Sequence, residues 1–289
     1  VKYCLEVWGT DYARIRDTCI LAEKLGYDGF YYGESLTDID LDCWVVLSGL
    51  AEKTDAIHLG PVITYVLPQY RSIALLAKQA TTLQQISAGR LEFRTGAGAI
   101  PRYASAWWQP YDIDYPDNLQ RTAILEEGLQ VLRDLWTKSS VYFRGKYFKV
   151  DCAGLQKSYR IPVTVAAKGP RMLEIAAKHA DVWESSYLSP EQFHDLNSVF
   201  SKTTGRDIVR SLELDVVIAD SDSELQEKVK QFARERGPAY DINRGLVGRP
   251  DAIAEKVIEY EKAGVQQMLL AFLDPLDGRA LELFIKAVR

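Results

Sequence analysis

The residues of this chain that could do chemistry sit where β-favouring runs give way to helical ones. The clearest case is VTVAAKGPRMLEIAAKHADVW, residues 163–183. Three β-favouring residues and two alanines lead into Lys168-Gly169-Pro170-Arg171, which opens a helical pattern carrying Met172, Leu173, Ile175, Ala176 and Ala177. A helix start leaves its first backbone N–H groups unpaired and gathers partial positive charge there. Glycine lets a ligand approach the backbone, proline suits a first turn, and Lys168 and Arg171 add full charges on either side. That order of residue types suits a phosphate; the alternative is an ordinary helix start with exposed basic residues. For proton handling the candidates are two carboxylates near strand ends, Glu34 in YYGES and Glu184 in DVWESS. Glu6, Glu92, Arg94 and Asp215 lie in strand-like runs where alternation can turn them inward. In LEFRT, Leu91 and Phe93 share one face, Glu92 and Arg94 the other. Buried charges persist only when paired, so a network joining Arg94 to Glu6 or Glu184 is expected inside the fold, structural or catalytic.

These positions need a scaffold that repeats strand then helix. Strands are expected at residues 3–8, 27–32, 56–66, 90–98, 163–167, 181–186, 212–219 and 266–272. Helices are expected at Tyr12–Leu25, ended by Gly26, at 40–54, 71–87, Asn118–Thr137 and 170–179, at Pro190–Thr203, 223–235 and 250–263, and at Gly278–Val288. A hairpin is expected in SVYFRGKYFKV, residues 140–150. Eight strands, each followed by a helix, predict an α/β fold of the (β/α)8 TIM-barrel type, with insertions after strands 4 and 7 and before strand 5. An open doubly wound sheet is the rival, but no early Gly-x-Gly-x-x-Gly leaves a strand. No linker divides the chain, so residues 1–289 read as a single domain. In such a barrel the site is built at the carboxyl ends of the strands. Those ends are Trp8-Gly9, Gly33-Glu34-Ser35, Thr64-Tyr65, Gly96-Ala97-Gly98, Lys168-Gly169-Pro170, Ser185-Ser186, Ala219-Asp220 and Leu273-Asp274.

Composition narrows the function classes. Of 289 residues, 47% are hydrophobic and 26% charged, with a net charge of −5 spread along the chain, so no basic stripe points to nucleic acid. No apolar run reaches the ~18 residues of a membrane span, and no charged-then-apolar leader precedes the first strand; a cytoplasmic protein is expected. Cys4, Cys19, Cys43 and Cys152 form no Cys-x-x-Cys pair and are expected to be reduced. The three histidines have no metal-ligand spacing, so no metal is expected, and His179 is read as complementing a helix dipole. Residues 99–117 form a long strand-to-helix loop with Tyr103, Trp107, Trp108, Tyr111 and Tyr115. Such loops are usually lids or binding loops; these aromatics suit stacking on a flat ring or packing a subunit interface.

Four segments resemble, in order, the bacterial-luciferase-like superfamily of flavin and deazaflavin enzymes. They are LAEKLGYDGFYYGES, LGPVITYVLPQYRSIALLAKQATTLQQISAGRLEFRTGAG, VAAKGPRMLEIAAKHAD and VGRPDAIAEKVIEYEKAGVQQMLLAF, together spanning almost the whole chain. The AAKGPRMLEIAA form is closest to the branch that uses coenzyme F420, which includes methylenetetrahydromethanopterin reductases. The resemblance implies a TIM barrel, a homodimer, and FMN or F420 with its ring over the barrel mouth. It implies that Lys168, Gly169, Pro170, Arg171 and Met172 hold the cofactor phosphate. Thr64 and Tyr65 would fall on the strand backing the ring, where the family often has a cis non-proline peptide. Ala97 and Gly98 would line the ring, and Glu34 and Ser35 would stand at the second-strand end.

The chain also departs from that pattern. Glu34-Ser35 stands where Asp-His or a similar pair is common, Ala99 where an acid often follows the glycines, Tyr65 where Asn is frequent, and Val62 and Ile63 where a smaller residue is usual. The expected activity is an F420-dependent oxidoreductase moving a hydride to or from a small-molecule substrate, with Glu34 or Glu184 handling the proton. The alternatives are an FMN-dependent luciferase-like monooxygenase and a non-catalytic flavin-binding protein.

Overall fold

A computed structural model describes residues 1–37, 41–99, 107–155, 157–237 and 241–289. Among them, eight parallel strands follow one another around a barrel: β3 (His58–Val62), β2 (Gly29–Gly33), β1 (Lys2–Val7), β11 (Gln267–Phe272), β9 (Val209–Ile218), β8 (Val182–Ser186), β7 (Val163–Ala166) and β4 (Phe93–Gly96). The ring is completed between β3 and β4 by isolated parallel bridges, Leu59 to Leu91 and Thr64 to Thr95. Gly60 makes that approach possible, because a Cβ on it would fall on the Glu92 carbonyl oxygen. The hairpin β5 (Ser140–Arg144) and β6 (Lys149–Ala153) stands apart from the barrel, and the short β10 (Leu246–Gly248) pairs with β9. The barrel and its insertions after strands 4 and 7 and before strand 5 are those expected from the pattern.

Helices wrap the strands: α1 (Tyr12–Leu25), α2 (Cys43–Ala51), α3 (Ile73–Ile86), α4 (Asn118–Thr137), α5 (Pro170–His179), α6 (Pro190–Thr203), α7 (Asp222–Arg236), α8 (Pro250–Lys262) and α9 (Gly278–Val288). The core lies between the two layers. Leu5, Val7, Phe30, Tyr32, Phe93, Val165, Trp183, Leu214 and Leu270 alternate outward along the strands and are buried against apolar helix faces. The barrel interior holds a small separate cluster, Cys4, Tyr31 and Leu269, with charged residues above it. Side chains of Asp11, Asp42, Asp117, Ser189, Ser221 and Asp277 cap helix N-termini, each accepting from a first-turn N–H. At Gly169, ahead of α5, no side chain does so.

Some expectations need correction. The third strand stops at Val62 rather than running to Val66, and β10 was not foreseen, since three residues give no period. His179 does not complement a helix dipole as a cation. It is buried, and burial together with the neighbouring Lys178 charge lowers its pKa to about 4, leaving it neutral. The four cysteines are free thiols, Cys152 alone exposed. Among the described residues no helix is long and apolar enough to cross a membrane, and no cluster of three metal-ligating side chains occurs.

Candidate active site

A cavity of about 940 Å³ opens at the carboxyl ends of the barrel strands, a volume that admits a cofactor-sized ligand. Its two sides differ in chemistry. The arc formed by β3, β4 and β7 contributes Val62, Ile63, Gly96, Ala97, Gly98, Ala166 and Ala167, all apolar or small. The opposite arc, from β1, β8 and β9, contributes Glu6, Glu184, Glu213 and Asp215. On the first arc the Val62–Ile63 peptide is cis. Gly98 adopts φ +80, and a Cβ there would strike the Tyr115 hydroxyl, so the small residue keeps the mouth open beside the loop.

Below the acidic arc lies the buried network. The Arg94 side chain is fully enclosed and donates to Glu92 at 2.5 Å and to Glu184. Tyr31 and Thr164 hydroxyls donate to Glu92 at 2.7 and 2.5 Å, and Ser211 donates to Glu184 at 2.8 Å. Burial alone would raise the Glu92 pKa, but the Arg94 charge and these hydroxyls hold it below the ordinary carboxylate value. The expected partnership with Glu184 is present; Glu6 is replaced by Glu92. Sequence alternation assigns a face but not a depth, and Glu92 lies two residues from Arg94 on the same strand face.

Glu6 is left without that cation. Its Oε2 is shielded from solvent and has no hydrogen-bond partner. Burial, then the charges of Glu213 and Glu184, push its pKa well above the usual carboxylate range. Glu213 is held up to about 7 by burial and by the Glu184 charge, although the Tyr187 hydroxyl donates to it. Tyr187, at the end of β8 with φ +53, is flanked by Lys168 Nζ at 5.8 Å and the Arg236 guanidinium at 5.5 Å from its ring centre. Arg236 reaches in from α7 and pairs with the buried Asp215. The Lys168 pKa is lowered by burial, opposed by Glu213 and assisted by Arg244. The site therefore holds two carboxyl groups of raised proton affinity, Glu6 and Glu213, beside carboxylates joined to arginines.

The residues expected from the sequence are distributed unevenly. Glu34, Ser35, Tyr65, Ala97, Gly98, Lys168, Met172 and Glu184 line the cavity. Thr64 is buried behind it and donates to Glu34 Oε2 at 2.6 Å. Glu34 also pairs with Arg71, so both carboxylates first considered for proton handling are bound to arginines. Gly169 and Pro170 are exposed beside Lys168, and a Cβ on Gly169 would meet nothing within 4 Å, leaving the start of α5 open to a ligand. Arg171 is exposed and joined to Glu126 and Glu174. In the aromatic loop, residues 100–106, including Tyr103, lie outside the described residues. Trp108 neither faces the cavity nor lies exposed; it packs in the chain's own cluster, 4.9 Å from Tyr65, 4.8 Å from Tyr70 and 5.5 Å from Tyr115. Trp107 does line the cavity. Glu213, Tyr187 and Arg236 went unnoticed in the sequence. Of these, Glu213 was accessible: the alternation that marks Asp215 as inward marks Glu213, two residues earlier, equally.

Residues 6–267 match the family described as luciferase-like monooxygenase. The chain belongs to that family. Among relatives, it is similar to the pyrimidine monooxygenase RutA of Acinetobacter baylyi, 27% identical over 89% of this chain and 82% of that one. It is also similar to the 5,10-methylenetetrahydromethanopterin reductase of Archaeoglobus fulgidus, 32% identical over 56% of this chain and 45% of that protein. The coenzyme F420-dependent tetrahydromethanopterin reductase of Methanopyrus kandleri superposes with a TM-score of 0.81, covering 100% of this chain and 98% of that one at 22% identity. At that identity the likeness establishes the fold. Luciferase-like relatives thus include both a monooxygenase and a reductase.

Proposed function

We propose that this luciferase-like chain is a coenzyme F420-dependent oxidoreductase, with the cofactor and a small organic substrate side by side in the cavity. The observation that carries the reading is the division of that cavity. An uncapped helix start with Lys168 and an open-faced Gly169 lies at one edge, a flat small-residue arc beside it, and protonatable carboxyls across from it. These residues fit a flat ring with a phosphate tail. When bound, the deazaflavin supplies a hydride donor or acceptor. Lys168 Nζ and the free N–H groups of Arg171 and Met172 would hold the phosphate. Gly96, Ala97 and Gly98 would let the ring lie against the β4 end, with Thr64 and Tyr65 behind it. Glu213, with Glu6 beside it, would hold the proton that accompanies the hydride. Glu34 and Glu184 would serve in positioning rather than proton transfer, because Arg71 and Arg94 already engage their carboxylates. Trp107 and the cluster around Trp108 would limit water access from the loop side.

Replacing Lys168 by alanine is expected to weaken cofactor binding about tenfold, on the order of 1.4 kcal/mol. Arg171→Ala is expected to do less, since Arg171 already has two carboxylate partners. Isothermal titration of both variants checks this; a Lys168→Ala protein binding like wild type would move the phosphate elsewhere. The second reading, an FMN-dependent monooxygenase, draws support from the pyrimidine monooxygenase relative, which matches the larger share of the chain. Substrate-dependent oxygen consumption by the FMN-loaded protein would favour it.

A further inference from the structure

We propose that the substrate half of this cavity takes an organic cation, an amine, iminium or amidinium nitrogen on a small body, rather than a carboxylate or a phosphate ester. The inference rests on the reading above, in which the ring occupies the small-residue arc and leaves the acidic arc to the substrate. Among the described residues, five carboxylates gather there, Glu6, Glu92, Glu184, Glu213 and Asp215. They face three cations, Arg94, Arg236 and Lys168. Glu235 adds a negative charge to the lining and Arg244 a positive one near Lys168, and Glu34 is matched by Arg71. If Lys168 serves the cofactor phosphate, the surplus on the substrate side grows.

A second, independent feature points the same way. Glu6 Oε2 is shielded from solvent, on the cavity wall, and has no donor; a buried acceptor without a partner is costly and is satisfied by a ligand N–H. Aromatic faces complete the receptor, for Trp8, Trp107 and Tyr187 line the same space, and ring faces attract cations. An anionic substrate would meet only Arg236, already joined to Asp215, and Lys168. Burial and the neighbouring carboxylates raise the proton affinity of Glu6 and of Glu213, so that a proton offsets part of the surplus there. A bound cation would do the same work, so its binding should expel a proton from Glu213 to the buffer. The groups that set this proton's affinity are Glu6 on β1, Glu184 and Tyr187 on β8, Asp215 on β9, Lys168 after β7 and Arg236 on α7.

The test uses cofactor-loaded protein and three probes of matched shape: benzylamine, benzyl alcohol and benzoate, titrated calorimetrically at pH 6 and pH 8. Benzylamine is expected to bind about tenfold more tightly than benzoate at pH 8, with a smaller margin at pH 6. At pH 6, where Glu213 still holds its proton, the heat of benzylamine binding should vary with the ionisation enthalpy of the buffer, as proton release requires, and at pH 8 that dependence should be small. Glu213→Gln, which keeps the shape and the bond from Tyr187, should abolish the buffer dependence and narrow the preference. Benzoate or the alcohol binding as tightly as the amine, or none of the three binding up to tens of millimolar, overturns the proposal. Cofactor binding is measured first. A protein that takes no cofactor yet prefers the amine contradicts the oxidoreductase reading and leaves the cation preference standing, while a loaded protein that prefers benzoate does the reverse.

Discussion

Arg94→Met is expected to destabilise the protein by about 3–5 kcal/mol, enough to unfold a marginal domain. The arginine is wholly enclosed in the barrel and is the only cation bonded to the Glu92 and Glu184 side chains among the described residues. Removing it leaves two carboxylates away from water with only the hydroxyls of Tyr31, Thr164 and Ser211 to satisfy them. The penalty is the stranded charge rather than the lost attraction. Converting the two acids as well, in Arg94→Met/Glu92→Gln/Glu184→Gln, should therefore recover much of the loss. Urea unfolding at pH 7 measures both, and the triple variant keeps the test readable if the single one fails to fold. A single variant within about 1 kcal/mol of wild type, near the ordinary cost of a point substitution, would mean that the network is dispensable.

Glu213→Gln is expected to act in opposite directions on stability and on catalysis. Folding raises the proton affinity of Glu213 from its ordinary value of 4.5 to about 7. The folded state therefore binds more protons than the unfolded chain between those values, and stability falls as pH rises through the interval. The charged carboxylate at pH 8 costs about 3 kcal/mol as an upper bound, at about 1.4 kcal/mol per tenfold change in proton affinity. Glutamine carries no such cost. The variant should gain on wild type at pH 8 and lose that advantage at pH 5, where Glu213 is protonated in the folded protein. An advantage of equal size at both pH values would exclude Glu213 as the group that titrates. Turnover of the loaded enzyme should meanwhile drop about 10²-fold or more, the usual effect of deleting a positioned acid or base. A residue that weakens the fold where it stands, in a cavity, is the pattern of a functional group kept at the expense of stability.

The barrel was legible because each strand and each helix repeats a pattern at its own period. Helices α1, α6 and α9 begin and end where Asp11, Ser189 and Asp277 cap them and where the apolar stripes run out. Strand ends were less legible, because the ladder depends on neighbours far away in sequence; His58–Val62 leaves its pairing with β2 four residues before the β-favouring run stops. The candidate site lies where the strand ends were read, and eight of the candidate site residues, from Glu34 to Glu184, line one cavity. What the sequence concealed was partnership. Glu34 reads as a free acid, yet Arg71 claims it from the turn before α3, whereas the pairing of Glu184 with Arg94 inside β4 is one the alternation anticipates. Arg94 takes Glu92 as its second partner in place of Glu6, whose Oε2 is left without a hydrogen-bond partner and whose proton affinity is raised. Arg236, 21 residues beyond Asp215, could be assigned to the cavity only once α7 was folded back onto β9.

The most direct test of the account is a fluorescence titration of the cofactor-free protein with coenzyme F420 and, separately, with FMN. Trp8 and Trp107 on the cavity wall should report binding by quenching. Micromolar or tighter binding of F420, with FMN weaker and Lys168→Ala reducing the F420 affinity, is the expected result. Tighter binding of FMN would contradict the F420 assignment and turn the search towards oxygen chemistry, and binding of neither would contradict the assignment of this cavity to a phosphate-tailed ring.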